Sequence, residues 1–331
     1  MTDKLKILVL IRKIWEYAKH RPKMEMVKTL EKFADVYYWH EDGHIDDILK
    51  KIKITPDFIF HYDIAWLNGL APKIEGLGNT NIATGSFVID LHWEPKTRIQ
   101  YFEDNHIDII FSVTKNPFLK VFPQYEEKLC WLPWSINPDI MKDYELKKDI
   151  DALLMGLVYL DSNNRGKHRL PKKLPYKDRY AFRDAVFRKM KDRDDFVFHP
   201  HPGHRVKDTE KLMVNERYAK ELNRSKIFFT CGSRSEHGGV AVLKFFEAPA
   251  CNTLLLAETN QDIEDLGFVD GENFVACTIE NVVNKADYYL ANEQERKRIS
   301  ENGYQFVHHN HTNEMRAKQM IQEIKQYLLI R

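Results

Sequence analysis

The sequence has little of what would mark a secreted, membrane-spanning or metal-scaffolded protein. Its 331 residues include four cysteines, Cys130, Cys231, Cys251 and Cys277, scattered singly with no CxxC pair. Neither a disulfide framework nor a zinc site follows from that spacing; no metal is expected, and the expected compartment is a reducing cytoplasm. The opening stretch "MTDKLKILVLIRKIW" meets a charge after a handful of apolar residues, too soon for a signal peptide or a span, so no integral membrane segment is expected. Net charge is nearly absent too, with Lys and Arg at 50 against Asp and Glu at 49, so any polyanionic partner would need a local patch. G-x-G-x-x-G and P-loop patterns are missing, as are short repeats and low-complexity tracts, and no DxD-type ligand set is placed at a strand end. What is present is an ordinary globular composition, 43% hydrophobic, at a length that suggests about two domains.

Short apolar runs recur between amphipathic segments. "KILVLI" at 6–11, "DFIFHY" at 57–62, "NIATGSFVI" at 81–89 and "DIIFSV" at 108–113 are too short for buried helices and rich in β-branched or aromatic residues. They read as strands of a mostly parallel sheet. Helical periodicity lies between them over 22–33 and 45–52. The stretch 132–149, rich in Pro, Asn and charge, loses the pattern and reads as a linker. The alternation restarts with "DALLMG" at 151–156 and continues through strands at 195–200, 226–230, 253–257 and 273–277. Helices are expected at 214–223, 239–249, 280–291 and 293–309, with a last one from about Thr312. The fold class is α/β: two doubly wound domains facing across a cleft, with ligands at the carboxyl ends of their strands.

Chemistry concentrates around "CGSRSEHGGVAVLKFFEAPACNT". Gly238 and Gly239, between a strand and a helix, either cradle a diphosphate on backbone amides or serve turn geometry alone. Glu247 lies two helical turns beyond, among Val242, Leu243, Phe245, Phe246 and Ala248, where an unpartnered carboxylate is costly to bury. It either accepts from a ribose diol or pairs with Lys244 or another base. Gly156 ends a strand, and the following 165–193 is basic. Arg165, Lys167, Arg169, Lys172, Lys173 and Arg183 include one or two candidates for a phosphate, the rest forming a solvated face. "HPHPGHR" at 199–205 lacks metal-ligand spacing and reads as a rigid loop, with His201, Pro202 and Gly203 against a base or sugar. "GSFVIDLHWEP" places Asp90 and His92 at a strand end. One is a general base for an acceptor hydroxyl, or else Asp90 caps a helix and His92 packs. "HHNH" at 308–311 reads as a helix end, without catalysis.

Residues 215–318, with "DALLMG", "HPGH" at 201–204 and "FSVTKNPFLKVFPQYEEKLCWLPWSINPDI" at 111–140, resemble group 1 glycosyltransferases, specifically the spore-maturation-like subgroup. The resemblance implies a GT-B fold of two Rossmann-like domains, 1–145 on the acceptor side and 146–311 holding the nucleotide sugar. It also implies a final helix, 312–331, packing back on the first. In that family two glutamates separated by seven residues mark the site, the second holding the ribose. Glu247 matches the second, and Gly239 stands where the first would be. Amides at Gly238, Gly239 and Val240 are then expected to serve the diphosphate with Gly156, Arg183 and Lys244, and Ser233 to join the base- or sugar-side contacts.

The activity implied is transfer of a sugar from a nucleoside diphosphate sugar, expected to be UDP-linked, to an acceptor hydroxyl. It is expected to be metal-independent and without a separate cofactor, with a lean to retention. The acceptor is open among a glycan, an envelope polymer, a protein and DNA. A phage-type DNA-base transferase stays in view because of 165–193 and "RKIWEYAKHR" at 12–21. A non-catalytic binding protein for nucleotide sugars or polyanions stays in view because the first glutamate is missing.

Overall fold

A computed structural model describes residues 4–91, 93–159, 179–203, 206–207, 209, 211–235 and 238–331. The chain divides into two compact units. One comprises Met1–Glu16, Lys23–Pro133 and Asn313–Arg331; the other comprises Tyr17–Pro22 and Trp134–Thr312.

The first unit is built on six parallel strands: β1 (Lys6–Leu10), β2 (Asp35–Trp39), β3 (Phe58–His61), β4 (Ala83–Val88), β5 (Ile109–Ser112) and β6 (Leu129–Trp131). Their spatial order is β2-β1-β3-β4-β5-β6. Strands buried on both faces are largely apolar, and β3, β4 and β5 are buried at every residue. The connections carry α1 (Arg21–Lys28), α2 (Ile45–Ile52), α3 (Pro95–Asp104) and α4 (Asn116–Val121). Ile45 and Ile48 of α2 seat on Leu8, Leu10 and Ile59 of the sheet, while the N-cap His44 accepts the Asp46 amide.

The second unit has five parallel strands: β7 (Ile150–Gly156), β8 (Phe196–Pro200), β9 (Ser225–Thr230), β12 (Leu254–Ala257) and β13 (Val275–Ala276). A hairpin of β10 (Ser233–Ser235) and β11 (Gly238–Val240) follows β9. Sheet order is β8-β7-β9-β12-β13. Side-chain alternation sends Leu154, Ile227, Phe229 and Leu256 into one core with Phe182, Val186 and Met190 of α5 (Ala181–Met190) and with Val282 of α9 (Val282–Ala291). The remaining helices are α6 (Asn215–Arg224), α7 (Lys244–Ala250), α8 (Gln261–Asp265), α10 (Glu293–Asn310) and α11 (Asn313–Ile330).

Helix α11 buries Ala317, Met320, Ile321 and Ile324 within the first unit. Arg316 donates to the Pro133 carbonyl at 3.0 Å and Gln319 to that of Trp131 at 2.8 Å. The stretch expected as a linker is bonded into the second unit: Asp143 accepts from Asn223 at 2.7 Å and Asn252 at 2.8 Å. No helix among the described residues is long and apolar enough to cross a membrane.

Candidate functional site

In the second sheet the chain leaves β7 toward β8 on one side, then crosses back to β9 on the other. The gap outside the carboxyl ends of β7 and β9 is therefore a topological switch point, where backbone groups and loops open rather than close over the sheet. Arg183, reaching in from α5, fills its floor. Nη2 donates to the Cys231 carbonyl at 3.0 Å and lies 3.4 Å from Thr230 Oγ1, and the guanidinium sits 4.4 Å from the Tyr180 ring centroid. Gly156 eases this close approach, since a Cβ there would stand 3.1 Å from Arg183 Nη1, tighter than ordinary contact. The arginine is 4% exposed, its Nε is buried without a hydrogen-bond partner, and no described carboxylate lies within ion-pair distance. A buried cation with no carboxylate beside it is costly, so the floor is electrostatically incomplete.

Helix α7 supplies the opposing charge. All seven of its residues are buried, Phe245 and Phe246 against the core and Lys244 and Glu247 among them. Tyr218 of α6 stands between the two charges. Lys244 Nζ lies 3.2 Å from its hydroxyl and 4.6 Å from its ring centroid, and burial, together with the nearby Glu247 charge, holds the phenol well above its ordinary range. Lys244 and Glu247 form no direct ion pair, the alternative considered from sequence; both charges act on the same tyrosine. Glu247 Oε2 is left buried and without a partner. Burial pushes the Lys244 ammonium down to about 7; nearby Lys19 and Arg183 push the same way and Glu247 opposes them. Lys19 belongs to the second unit, where Ala18 N donates to the Val206 carbonyl at 3.3 Å. Three cations and one carboxylate therefore share this edge of the sheet.

The glycines take a different form from that expected. Helix α7 begins at Lys244, not at 239, and Gly238–Val240 is a strand pairing with Ser233–Ser235. Antiparallel pairing consumes part of the backbone that a helix start would have opened to an anion, so this loop is a hairpin and not a glycine-rich helix entry. Arg179 Nε donates to the buried Ser233 Oγ at 2.6 Å, Arg234 N donates to the Arg179 carbonyl at 3.0 Å, and Arg234 pairs with Glu258. Asn260 occupies the space beside Gly239, its Nδ2 lying 2.9 Å from where a Cβ would be. A side chain at 239 would first meet the Asn260 amide, which would have to shift to admit it.

The His201–Pro202–Gly203 loop lies beside Gly156, with His201 N donating to the Gly156 carbonyl at 3.2 Å and Gly203 N to His201 Nδ1 at 3.0 Å. Gly203, at φ +95°, adopts a backbone conformation that favours glycine. In the first unit Asp90 follows β4 and accepts from Asn68 Nδ2 at 2.9 Å. His92, Glu236 and the bases from Arg165 to Lys173 fall outside the described residues. Sequence reasoning missed Tyr218 and Lys19, which carry no motif. It also missed Asp63 and Arg98, a fully buried pair at 2.7 Å; the one signal was an aspartate directly after the apolar run at 57–62. Among the described residues no three His, Cys, Asp or Glu side chains form a metal-ligand set.

Residues 179–322 match a family described as glycosyl transferase-like. No curated protein sequence matches the chain. Among solved structures it is similar to a glycosyltransferase of Rickettsia africae, at 14% identity, TM-score 0.62, covering 98% of this chain and 99% of that one. It is also similar to HepE of Anabaena, solved with UDP and glucose, at 9% identity, TM-score 0.63, covering 97% and 100%. Sucrose-phosphate synthase of Thermosynechococcus elongatus matches at 13% identity, TM-score 0.56, over 87% and 77%. At these identities the structural likeness speaks for the fold, and the family match for the second unit. Residues 179–322 thus match a glycosyl transferase-like domain, and the chain as a whole has the GT-B fold of two Rossmann-like units.

Proposed function

We propose that this enzyme moves a sugar from a UDP-sugar to an acceptor hydroxyl, holding the donor at the switch point of its second unit. The observation that carries this reading is the pair of incomplete buried groups there, Arg183 Nε and Glu247 Oε2. A nucleoside diphosphate sugar completes both at once: its phosphates are acceptors for a cation, and its ribose hydroxyls are donors to a carboxylate. UDP complexes of HepE support the choice of nucleotide. As the glycosidic bond breaks, negative charge grows on the departing diphosphate, and Arg183, Lys244 and Lys19 are already in place to stabilise it. These cations suit a reaction without a metal, and the family resemblance supports retention. The His201–Gly203 loop and Ser233 would face the base or sugar, and Gly238–Val240 the diphosphate. Asp90 is the acceptor-side group of the first unit, and would act as a base only if configuration inverts.

A thermal-shift screen of nucleotide sugars tests the reading. A UDP-sugar at 100 times its Kd should add about 2.7 kcal/mol of stability, and turnover should release UDP; failure of every nucleoside diphosphate sugar to stabilise the chain would sink it.

Lys244 gives the site a pH signature. Its ammonium is the diphosphate-binding form, so affinity for a UDP-sugar, whose diphosphate does not titrate near neutrality, should fall as pH rises past about 7, by up to tenfold per unit. Stability of the unliganded chain should move the opposite way. The unfolded lysine, titrating near 10.5, keeps its proton where the folded one has lost it, so stability rises with pH between about 7 and 10.5. Calorimetry from pH 6 to 9 should show the binding slope in the native chain and a flat profile in Lys244→Met; a slope that survives in Lys244→Met assigns the titration elsewhere.

A further inference from the structure

The second unit has another charged recess, on the edge of its sheet away from the donor site. Lys148 lies two residues before β7, Lys226 is the second residue of β9, and Asn252 lies two residues before β12, so all three stand at amino ends of strands. With α10 they line a cavity of about 590 Å³. Gly156 and Thr230 end the same strands, and β9 has six residues. At roughly 3.3 Å per residue, the two edges are some 15–20 Å apart.

Four cations line this cavity, Lys148, Lys226, Arg296 and Lys297, against the carboxylates of Glu293 and Glu301. Two of them are locally compensated: Lys226 pairs with Asp151, and Lys297 with Glu293 at 2.6 Å. The other two are not. Lys148 Nζ donates to the Asn252 carbonyl at 2.6 Å and lies 3.5 Å from Thr253 Oγ1. Arg296, 6% exposed, uses only Nη1 among the described residues, toward the carbonyls of Tyr289 at 2.7 Å and Leu290 at 3.3 Å. No described carboxylate lies within ion-pair distance of either. Burial depresses both, Lys148 to about 8, and Arg296 is close enough to Lys148 to add to its depression. Asp143 acts on Lys148 from a distance, as Glu293 and Asp151 do on Arg296, without meeting them. Two desolvated cations that repel each other and line one cavity of ligand size are stabilised by an anion that meets both.

We propose that this cavity is a second, non-catalytic binding site for a sugar phosphate, its phosphoryl group held between Lys148 and Arg296. The planar guanidinium and the ammonium together suit a tetrahedral oxyanion. The volume exceeds what a phosphate alone fills, and the carboxylates of Glu293 and Glu301 are acceptors for sugar hydroxyls.

The test is calorimetry on the full chain with glucose 1-phosphate, inorganic phosphate and glucose as separate probes. Expected is saturable binding of glucose 1-phosphate, weaker binding of phosphate and none of glucose. Lys148→Gln should weaken glucose 1-phosphate at least tenfold. Lys297→Glu, a change at an exposed position, should weaken it too, so the proposal stays falsifiable if the buried variant misfolds. Arg183→Met, at the opposite edge, should leave this binding unchanged. Absence of binding, binding that survives both Lys148→Gln and Lys297→Glu, or loss of binding in Arg183→Met would overturn the proposal, the last by assigning the anion to the donor site.

Discussion

Glu247→Gln is expected to weaken UDP-sugar binding roughly 10- to 150-fold, the equivalent of losing one hydrogen bond to a charged acceptor, about 1.5–3 kcal/mol. The same substitution should leave the unliganded chain as stable as before, or more stable. Both halves follow from one oxygen: Oε2 is buried and has no partner in the chain, so its charge is costly to desolvate in the empty site, partly offset by the nearby Lys244 ammonium, and gains most when a hydroxyl donates to it. A structural glutamate would behave the other way, losing stability when neutralised. The nearly isosteric amide keeps the packing of Phe245, Phe246 and Ala248 around it, so a folding defect is not the expected outcome. A second consequence separates this role from simple loss of shape. Glu247 holds the Lys244 ammonium up against burial and two neighbouring cations; without its charge the lysine should lose its proton at lower pH. The midpoint of the pH dependence of donor binding should therefore move down in Glu247→Gln. Unchanged donor Kd in calorimetry, or an unchanged midpoint, would remove Glu247 from the ribose.

Much of this was legible from patterns that physics makes local. Runs such as "KIFFT" and "TLLLA" read as buried strands, because three or four consecutive apolar residues in so short a space are buried most simply in a sheet, and both are found in the parallel sheet. Glu247 stood out because a carboxylate inside an apolar helix needs a reason. The strand Asp35–Trp39 was missed, since its tyrosines and leading aspartate break the apolar run, and only its edge position beside β1 makes such a sequence a strand. The hairpin after β9 reads from sequence as a glycine-bearing loop into a helix starting at 239, because two glycines before a helical pattern resemble a helix entry. What decides otherwise is long-range: Arg234 held by the Arg179 carbonyl and by Glu258, and Asn260 beside Gly239. Tyr218 and Lys19 were invisible for the same reason. Each has an ordinary local pattern, and its place beside Lys244 is set by pairings many residues away.

Asp63→Ala is expected to cost about 3–5 kcal/mol of stability, the usual cost of breaking a buried ion pair from one side. Asp63 and Arg98 are both fully buried and 2.7 Å apart. The carboxylate also accepts the amides of Ala65 at 3.1 Å and Ile89 at 3.3 Å, tying the segment after β3 to the segment after β4. The guanidinium in turn donates to the carbonyls of Asp90 at 3.0 Å and Trp93 at 3.3 Å and lies 5.3 Å from the Trp93 ring centroid. Removing the carboxylate strands a guanidinium where water cannot reach it and frees the two amides. The melting temperature should drop by on the order of 10 °C. The double variant Asp63→Ala, Arg98→Met should recover a large part of that loss, because it removes the stranded charge along with its partner. A single variant that melts within a degree or two of the native chain would show that the pair is not what holds these segments. The effect should reach the acceptor side as well. Asp90 is held through its own carbonyl by Arg98, so Asp63→Ala should lower turnover at acceptor concentrations where donor binding, measured separately, is unchanged. Loss of donor binding in parallel would instead mean that the damage had spread beyond the first unit.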